Sequence, residues 1–130
     1  MPATFGCSVP TRGPMSNPDS LRSLAQRAED LGFDSIWVSD HIILPRQVDS
    51  FYPYAADGVP TFKPDESYYE PLAALNFLAG CTQRIRLGTH VLILPYRNPV
   101  LTAKILSTLD VLSGGRVILG AGVGWMEEEF

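Results

Sequence analysis

The apolar residues of this chain follow two alternating spacings. Short apolar runs rich in β-branched residues are each followed by a longer stretch whose apolar residues recur every three or four positions. The first pattern predicts β-strands, and the second predicts amphipathic helices packed on a core. Their alternation is typical of βα units arranged around a parallel sheet. We therefore expect an α/β protein with about four βα units.

Proline and glycine mark where the helices begin and end. Three helices are predicted, each with a proline near its start, at residues 18–32, 69–82 and 99–114. Strands are predicted at residues 4–9, 35–39, 87–94 and 117–119. In the third helix we expect the inward face to consist of Leu101, Ile105, Leu109 and Leu112.

Four βα units amount to half of a TIM (β/α)8 barrel, because a complete barrel typically needs about 250 residues. We expect residues 1–130 to form one such half-barrel, apparently truncated after the fourth strand, where residues 126–130 have the composition of an acidic first helical turn. Residues 42–67 contain four prolines and are predicted to be a long loop insertion. The aromatic side chains of this loop either cover a flat ligand or form a small separate core.

Charge and composition argue against several classes of function. The net charge is −4 and no cluster of Lys and Arg is present, so we expect no nucleic-acid partner. The two cysteines lack metal-ligand spacing and are too few for a disulfide framework, so we expect no metal site. Neither a signal peptide nor an apolar run of about 18 residues is found, which predicts a cytoplasmic protein without a membrane partner.

Polar residues at the carboxyl ends of the predicted strands are the candidates for chemistry, since the active site of a βα barrel lies there. Asp40 and His41 follow the second strand, and His90 lies within the third. A histidine at such a mouth can exchange a proton near neutral pH or hydrogen-bond a bound ring. Gly88 indicates a bulge or a close approach to a ligand, and the glycine-rich turn at residues 120–124 can present amides to an anion. Each feature also has a purely structural interpretation, as a loop residue, a hydrogen-bonded core histidine or a tight turn.

Several longer stretches match a known pattern, in order and over nearly the whole chain. They are LGFDSIWVSDH (31–41), EPL (70–72), RIRLGTHV (84–91), LPYRNP (94–99), LSGGR (112–116) and GAGVGW (120–125). With these motifs the chain resembles the luciferase-like monooxygenase superfamily and, within it, the F420-dependent oxidoreductase branch. The resemblance implies the N-terminal half of a TIM barrel whose cofactor is coenzyme F420 or, alternatively, FMN.

The resemblance also implies roles for individual residues. His41 is the expected catalytic acid or base beside the cofactor ring, and family members carry a non-proline cis peptide bond at the segment that here is His90-Val91. The expected cofactor-binding residues are Asp40, Thr89, His90, Val91, Gly122, Val123 and Gly124. Trp125 stands where the sugar-phosphate dehydrogenases of the family carry an acid, which argues against sugar-phosphate oxidation.

The function implied by the resemblance is hydride transfer between coenzyme F420 and a small organic substrate. One alternative is an FMNH2-dependent monooxygenase similar to the alkanesulfonate monooxygenases, and another is a half-barrel without catalytic activity. Four strands alone leave open sheet edges, which the pairing of two copies would bury. We therefore expect a homo-oligomer, most simply a dimer.

Overall fold

A computed structural model describes residues 2–63 and 65–130 of the chain. In chain order its elements are β1 (Gly6–Ser8), α1 (Pro18–Asp30), β2 (Ser35–Val38), α2 (Pro71–Cys81), β3 (Arg86–Thr89), β4 (Leu92–Ile93), α3 (Pro99–Ser113), β5 (Val117–Ile118) and β6 (Ala121–Gly122). Single turns of 3-10 helix at Leu94–Tyr96 and Glu127–Glu129 follow β4 and β6. Within these described residues, no helix is long and apolar enough to cross a membrane.

Four strands form one parallel sheet in the order β1-β2-β3-β5. The helices α1, α2 and α3 each connect two successive strands of that sheet, so the predicted α/β succession of βα units is confirmed. Fully buried side chains such as Leu21, Ile36, Leu75 and Leu87 form the core between the sheet and the helices. Because all four strands run the same way, their carboxyl ends share one edge of the sheet, where the site is expected.

The third predicted strand is divided into two short strands, and a further short strand, β6, lies in the glycine-rich turn predicted at residues 120–124. The predicted strand 87–94 ends at Thr89 and resumes as β4, which pairs with β6 in a separate two-stranded sheet. The peptide bond between His90 and Val91 is cis, at the position expected from the resemblance. A Cβ on Gly120 would lie 2.0 Å from the carbonyl oxygen of Thr89. Only glycine therefore allows these two backbone segments to lie so close together.

Gly88 is explained by Trp37 and not by a bulge or a ligand. Trp37 lies opposite Gly88 in the register of β2 and β3, and its ring would be 2.4 Å from a Cβ at that position. Gly6 makes room for the same ring from the other side, since a Cβ there would lie 2.4 Å from the Trp37 Nε1. Two glycines on neighbouring strands therefore accommodate one indole.

Side chains cap all three helices at their first turn. Asn17 accepts a hydrogen bond from the amide of Ser20 (2.9 Å), and Asn98 accepts one from the amide of Leu101 (3.0 Å). The second helix begins at Pro71, two residues later than predicted, because Glu70 is its N-cap and not part of it. These caps satisfy amides that have no partner inside the helix, which fixes where each helix begins.

The predicted inward face of α3 is wrong at two positions. Leu101 and Leu112 are 59% and 73% exposed, whereas Leu109 is fully buried. The residues that face the sheet with Leu109 are Thr102 and Ser113, which lie seven residues before it and four after it. At about 100° per residue, Leu101 and Leu112 fall about a quarter turn from that face. Leucine content alone therefore gave the wrong orientation for this helix.

Two charged side chains fix the beginning of β3, whose far end carries Thr89 and His90. Glu29 accepts hydrogen bonds from the amides of Gln83, Arg84 and Ile85. Burial alone would raise the pKa of Glu29, but these amides bring it below its ordinary value. On the other side the guanidinium of Arg116, itself 9% exposed, donates to backbone carbonyls at the end of α2 and to that of Ile85.

Candidate active site

A cleft of about 570 Å³ opens at the carboxyl ends of the strands. Its volume lies within the range of about 300 to 1,000 Å³ that is typical of small-molecule sites. Its walls come from the strand ends (Asp40, His41, His90, Val91, Val123, Gly124), from the loop 42–67 (Tyr52, Tyr54, Thr61, Phe62) and from Arg12, Ser39, Tyr68, Ile93 and Trp125.

Six of the eight predicted site residues line this cleft, and Thr89 and Gly122 do not. The hydroxyl of Thr89 donates to the carbonyl of Gly120 (2.9 Å) and accepts from its amide (3.1 Å). A Cβ on Gly122 would lie 2.2 Å from Cγ2 of Val91. Both residues therefore shape the backbone and side chains behind the cleft wall, and their expected contact with a cofactor stays a prediction.

Asp40 is buried, and its carboxylate is occupied by the protein. One oxygen accepts from the amide of Ile93 (2.8 Å) and the other from the guanidinium of Arg97 (2.8 Å). Arg97 also donates to Glu70 (2.8 Å), the N-cap of α2. Asp40 thus connects the end of β2 to the beginning of β4 and, through Arg97, to α2.

His41 carries the hydrogen-bonding arrangement best suited to proton transfer. Its Nδ1 lies 2.7 Å from the Oε1 of Glu129, and the hydroxyl of Tyr96 donates to the other Glu129 oxygen at 2.6 Å. The side chain of Glu129 is 1% exposed and that of His41 is 14% exposed. No residue described in the structure hydrogen-bonds the second ring nitrogen, Nε2. That nitrogen therefore keeps its capacity to bind or exchange a proton with a ligand.

His90 also lines the cleft, and one of its two ring nitrogens is hydrogen-bonded. Its Nε2 is 3.0 Å from the hydroxyl of Ser8, and its ring is nearly parallel to that of Trp37, 6.4 Å away. Burial lowers the pKa of His90, which favours the neutral ring. The residue is nevertheless exposed to the cleft, so it is not the satisfied core histidine of the structural interpretation.

Aromatic side chains cover the cleft from the loop side. The ring of Tyr52 lies 5.1 Å from that of Trp125, and Phe62 lies 5.7 Å from the ring of His41. Phe51 differs, because it is 69% exposed and lies against Gly58. Tyr52 and Phe62 are therefore placed over the cleft and do not form a core of their own, which favours the first of the two interpretations of this loop.

The loop 42–67 is held over the cleft by hydrogen bonds at both of its sides. Arg12 donates to Glu66 (3.1 Å) and to Thr61 (3.2 Å). At the other side, Glu128 accepts from the amides of Asp49 (2.6 Å) and Ser50 (2.8 Å). The acidic turn expected to begin a helix is in fact a 3-10 turn whose carboxylates bind the loop and His41.

We expect Glu128 to stabilise the folded state in a pH-dependent way. Its hydrogen bonds to Ser50, and then to the amide of Asp49, outweigh the effect of burial and lower its pKa to about 2. A lowered pKa contributes stability that is complete above the ordinary value of 4.5 and is lost as the pH falls towards 2. The urea midpoint of the wild type should therefore exceed that of Glu128→Gln at about pH 6, and the two should converge near about pH 2. An equal difference at both pH values would show that the charge of Glu128 does not hold the loop.

Several residues of the site were not expected from the sequence. Glu129, Tyr96 and Arg97 each contact a residue more than 25 positions away. No pattern of nearby residues in the sequence therefore predicts their place in the site. Among the side chains that the structure describes, no group of three His, Cys, Asp or Glu is arranged to hold a metal ion.

The parallel βα units and the cleft at the carboxyl ends of their strands define the class of this protein, a partial TIM barrel. The family model described as luciferase-like monooxygenase matches residues 2–130. The chain belongs to this family, and the resemblance seen in its motifs is confirmed.

Relatives of the chain use coenzyme F420 or FMN. An F420-dependent glucose-6-phosphate dehydrogenase from Amycolatopsis mediterranei is 38% identical over 108 residues, 82% of this chain and 28% of that protein. A solved F420-dependent secondary alcohol dehydrogenase, in complex with an F420-acetone adduct, matches with a TM-score of 0.69 at 25% identity, over 95% of this chain and 32% of that one. The FMN-bound oxygenating constituent of 3,6-diketocamphane monooxygenase from Pseudomonas putida shares the fold with a TM-score of 0.64 at 20% identity. The match covers 93% of this chain and 29% of that one. The chain thus spans about a third of the length of these proteins.

Proposed function

We propose that the cleft binds the ring of coenzyme F420 and that the protein containing this chain transfers hydride between F420 and a small organic substrate. The observation that carries the proposal is the placement of His41, whose Nδ1 is held by Glu129 while Nε2 has no described hydrogen-bond partner. Membership of the luciferase-like family and the F420-dependent relatives support the choice of cofactor.

The lining of the cleft fits a flat ring that is apolar on its faces. Val91, Val123 and Gly124 offer aliphatic and backbone surface, and Tyr52 and Trp125 offer aromatic surface. These five residues would hold the ring. Asp40, Thr89 and Gly122 would contribute indirectly, because their polar groups or their small size are used to hold the backbone behind the wall.

Bound F420 supplies a carbon that donates or accepts hydride. The chain contributes the accompanying proton transfer: Nε2 of His41 accepts the proton of a substrate hydroxyl during oxidation and returns it to the oxygen during reduction. The carboxyl group of Glu129 lies 2.7 Å from Nδ1 and is placed to stabilise the resulting imidazolium. The aromatic side chains of the loop 42–67 exclude water from the reacting groups.

The cleft favours a small alcohol or carbonyl substrate over a sugar phosphate. Trp125 stands where the sugar-phosphate branch carries an acid, and its ring packs on Tyr52 inside the cleft. Arg12 is the cationic side chain of the lining, but Glu66 already pairs with it at 3.1 Å. A phosphate group would therefore have to compete with an existing ion pair.

An FMNH2-dependent monooxygenase is the second candidate, because the FMN-bound relative shares the fold of the cleft-bearing region. A half-barrel without catalytic activity is a third. The expected homodimer and the cytoplasmic location stay predictions.

The experiment that separates these functions is a fluorescence titration of the protein with F420 and with FMN. We expect F420 to bind more tightly than FMN. We also expect Gly122→Ala to weaken F420 binding by about tenfold or more, because the new methyl group pushes Val91 into the ring site. The matched control is Gly80→Ala, which adds the same methyl group in α2 where no atom beyond the adjoining residues and backbone of that helix lies within 4 Å, and it should leave binding unchanged.

Tighter binding of FMN than of F420 would favour the monooxygenase instead. Binding of neither cofactor would overturn the proposed function. Equal affinities for F420 in the two glycine variants would show that the ring does not lie against Val91.

A further inference from the structure

Three side chains from distant parts of the chain form a continuous hydrogen-bonded row. His41 follows β2, Tyr96 lies in the 3-10 turn after β4, and Glu129 lies in the 3-10 turn after β6. The two contacts, 2.7 Å from His41 and 2.6 Å from Tyr96, use one carboxylate oxygen each. Glu129 is enclosed, with its side chain 1% exposed, so water does not replace either partner.

The chemistry of these groups determines where the protons lie. An ionised carboxylate only accepts hydrogen bonds, so the neutral imidazole must donate its proton from Nδ1. The lone pair of a neutral His41 then lies on Nε2. Burial, together with the hydrogen bond to Glu129 and its charge, raises the pKa of Tyr96, so this phenol stays protonated and donates.

We infer that Glu129 is the positioning residue of His41: its carboxylate fixes the imidazole with the proton on Nδ1 and leaves the Nε2 lone pair for the ligand. Tyr96 in turn orients Glu129. This inference rests on the proposed function, because it assigns the atom of His41 that exchanges the proton.

The aromatic neighbours of His41 cannot do the same task. Tyr68 and Trp125 both meet the ring edge-on, at 5.3 and 6.5 Å, and Phe62 lies 5.7 Å away at a tilt. Such contacts restrict the plane of the ring but do not distinguish its two nitrogens, since a ring rotated by 180° fills the same space. Only the hydrogen bond to Glu129 selects one tautomer and one orientation.

The direct test is the tautomer of His41, measured from its 15N chemical shifts in the full chain at about pH 8.5, where a free imidazole is neutral. We expect the wild type to carry the proton on Nδ1. The test variant is the double substitution Glu129→Leu with Tyr96→Phe, because removing the phenol hydroxyl together with the carboxylate does not leave Tyr96 with an unpaired hydroxyl. In this variant Nδ1 of His41 loses its acceptor, and we expect the fixed Nδ1–H form to be lost.

Two controls accompany the double variant. Glu128→Gln removes a charge one residue away whose hydrogen bonds go to the loop amides, and it should leave the His41 tautomer unchanged. His90, the other histidine of the chain, is bonded to Ser8 and reports whether the fold is intact. A His41 that still carries its proton on Nδ1 in a double variant with native His90 signals would overturn the inference.

The kinetic arm separates this inference from the proposed function. With F420 and an accepted substrate, we expect the double variant to lower kcat on the order of 100-fold at a nearly constant KM, the lower end of the range for acid-base catalysis. A changed tautomer with unchanged kcat would overturn the positioning role while F420 binding stands. If the wild type does not bind F420, the proposed function fails, and the tautomer measurement still decides whether Glu129 orients His41.

Discussion

Replacing His41 with glutamine is expected to lower turnover by about 100-fold to 10,000-fold, the usual contribution of a positioned acid or base. Glutamine retains a polar side chain of similar reach but does not exchange a proton near neutral pH. The Nδ1 contact to Glu129 at 2.7 Å can be replaced by the amide, so the surrounding wall should stay in place. The measurement is kcat and KM for a panel of small secondary alcohols with F420, together with the dissociation constant of F420.

The control for this variant is the equivalent substitution of the other cleft histidine, His90→Gln. Nε2 of His90 is bonded to the hydroxyl of Ser8 and not to a carboxylate, and burial lowers the pKa of His90, so His90 lacks the charged partner that would stabilise an imidazolium. We expect His90→Gln to change the affinity for F420 more than the turnover. If His41→Gln lowers only the affinity, or if both variants lower turnover equally, His41 is not the acid or base.

The two adjacent residues Asp40 and His41 have separate tasks, which the sequence did not distinguish. Both line the cleft, but the carboxylate of Asp40 is bonded to Ile93 and Arg97, whereas His41 keeps Nε2 without a described hydrogen-bond partner. In the Asp40-His41 pair, the first residue holds the neighbouring backbone and the second is the candidate for proton transfer. A loss of activity on changing Asp40 would therefore come from a displacement of the residues that line the cleft.

Features that depend on local spacing could be predicted from the sequence. Asn17, Pro18 and the apolar residues after them located α1, because capping and helical periodicity involve residues close along the chain. The strand ends at Asp40 and His90 followed from the βα alternation and the rule that parallel strands share a carboxyl edge. The position of the cis peptide bond came from the resemblance and from no local pattern.

Features that depend on distant partners could not be predicted. Glu129 is one of three consecutive glutamates and has the composition of an exposed helical turn, yet its side chain is enclosed by residues that lie 33 and 88 positions earlier. The orientation of α3 depends on which residues meet β5, and leucines on its other faces gave a competing apolar pattern. The division of the predicted strand 87–94 depends on the close contact of Thr89 with Gly120.

Asp40→Ala should lower the free energy of unfolding by about 3 kcal/mol or more, the usual effect of removing one partner of a buried ion pair. The side chain of Asp40 is 0% exposed and that of Arg97 is 10% exposed. Water therefore neither replaces the lost hydrogen bonds nor solvates the charge that remains on Arg97. The amide of Ile93 also loses its acceptor, at the beginning of β4. The measurement is urea unfolding followed by the fluorescence of the tryptophans.

Asp19→Ala is the matched control, because it removes the same carboxylate from an ion pair that is almost entirely in solvent. The side chain of Asp19 is 91% exposed and that of its partner Arg22 is 46% exposed, so the loss should stay below about 1 kcal/mol. Asp40→Asn should fall between the two, since its amide oxygen can still accept from Ile93 but faces Arg97 without a charge. If Asp40→Ala costs no more than Asp19→Ala, Glu70 alone must hold Arg97, and β4 must be positioned by its pairing with β6.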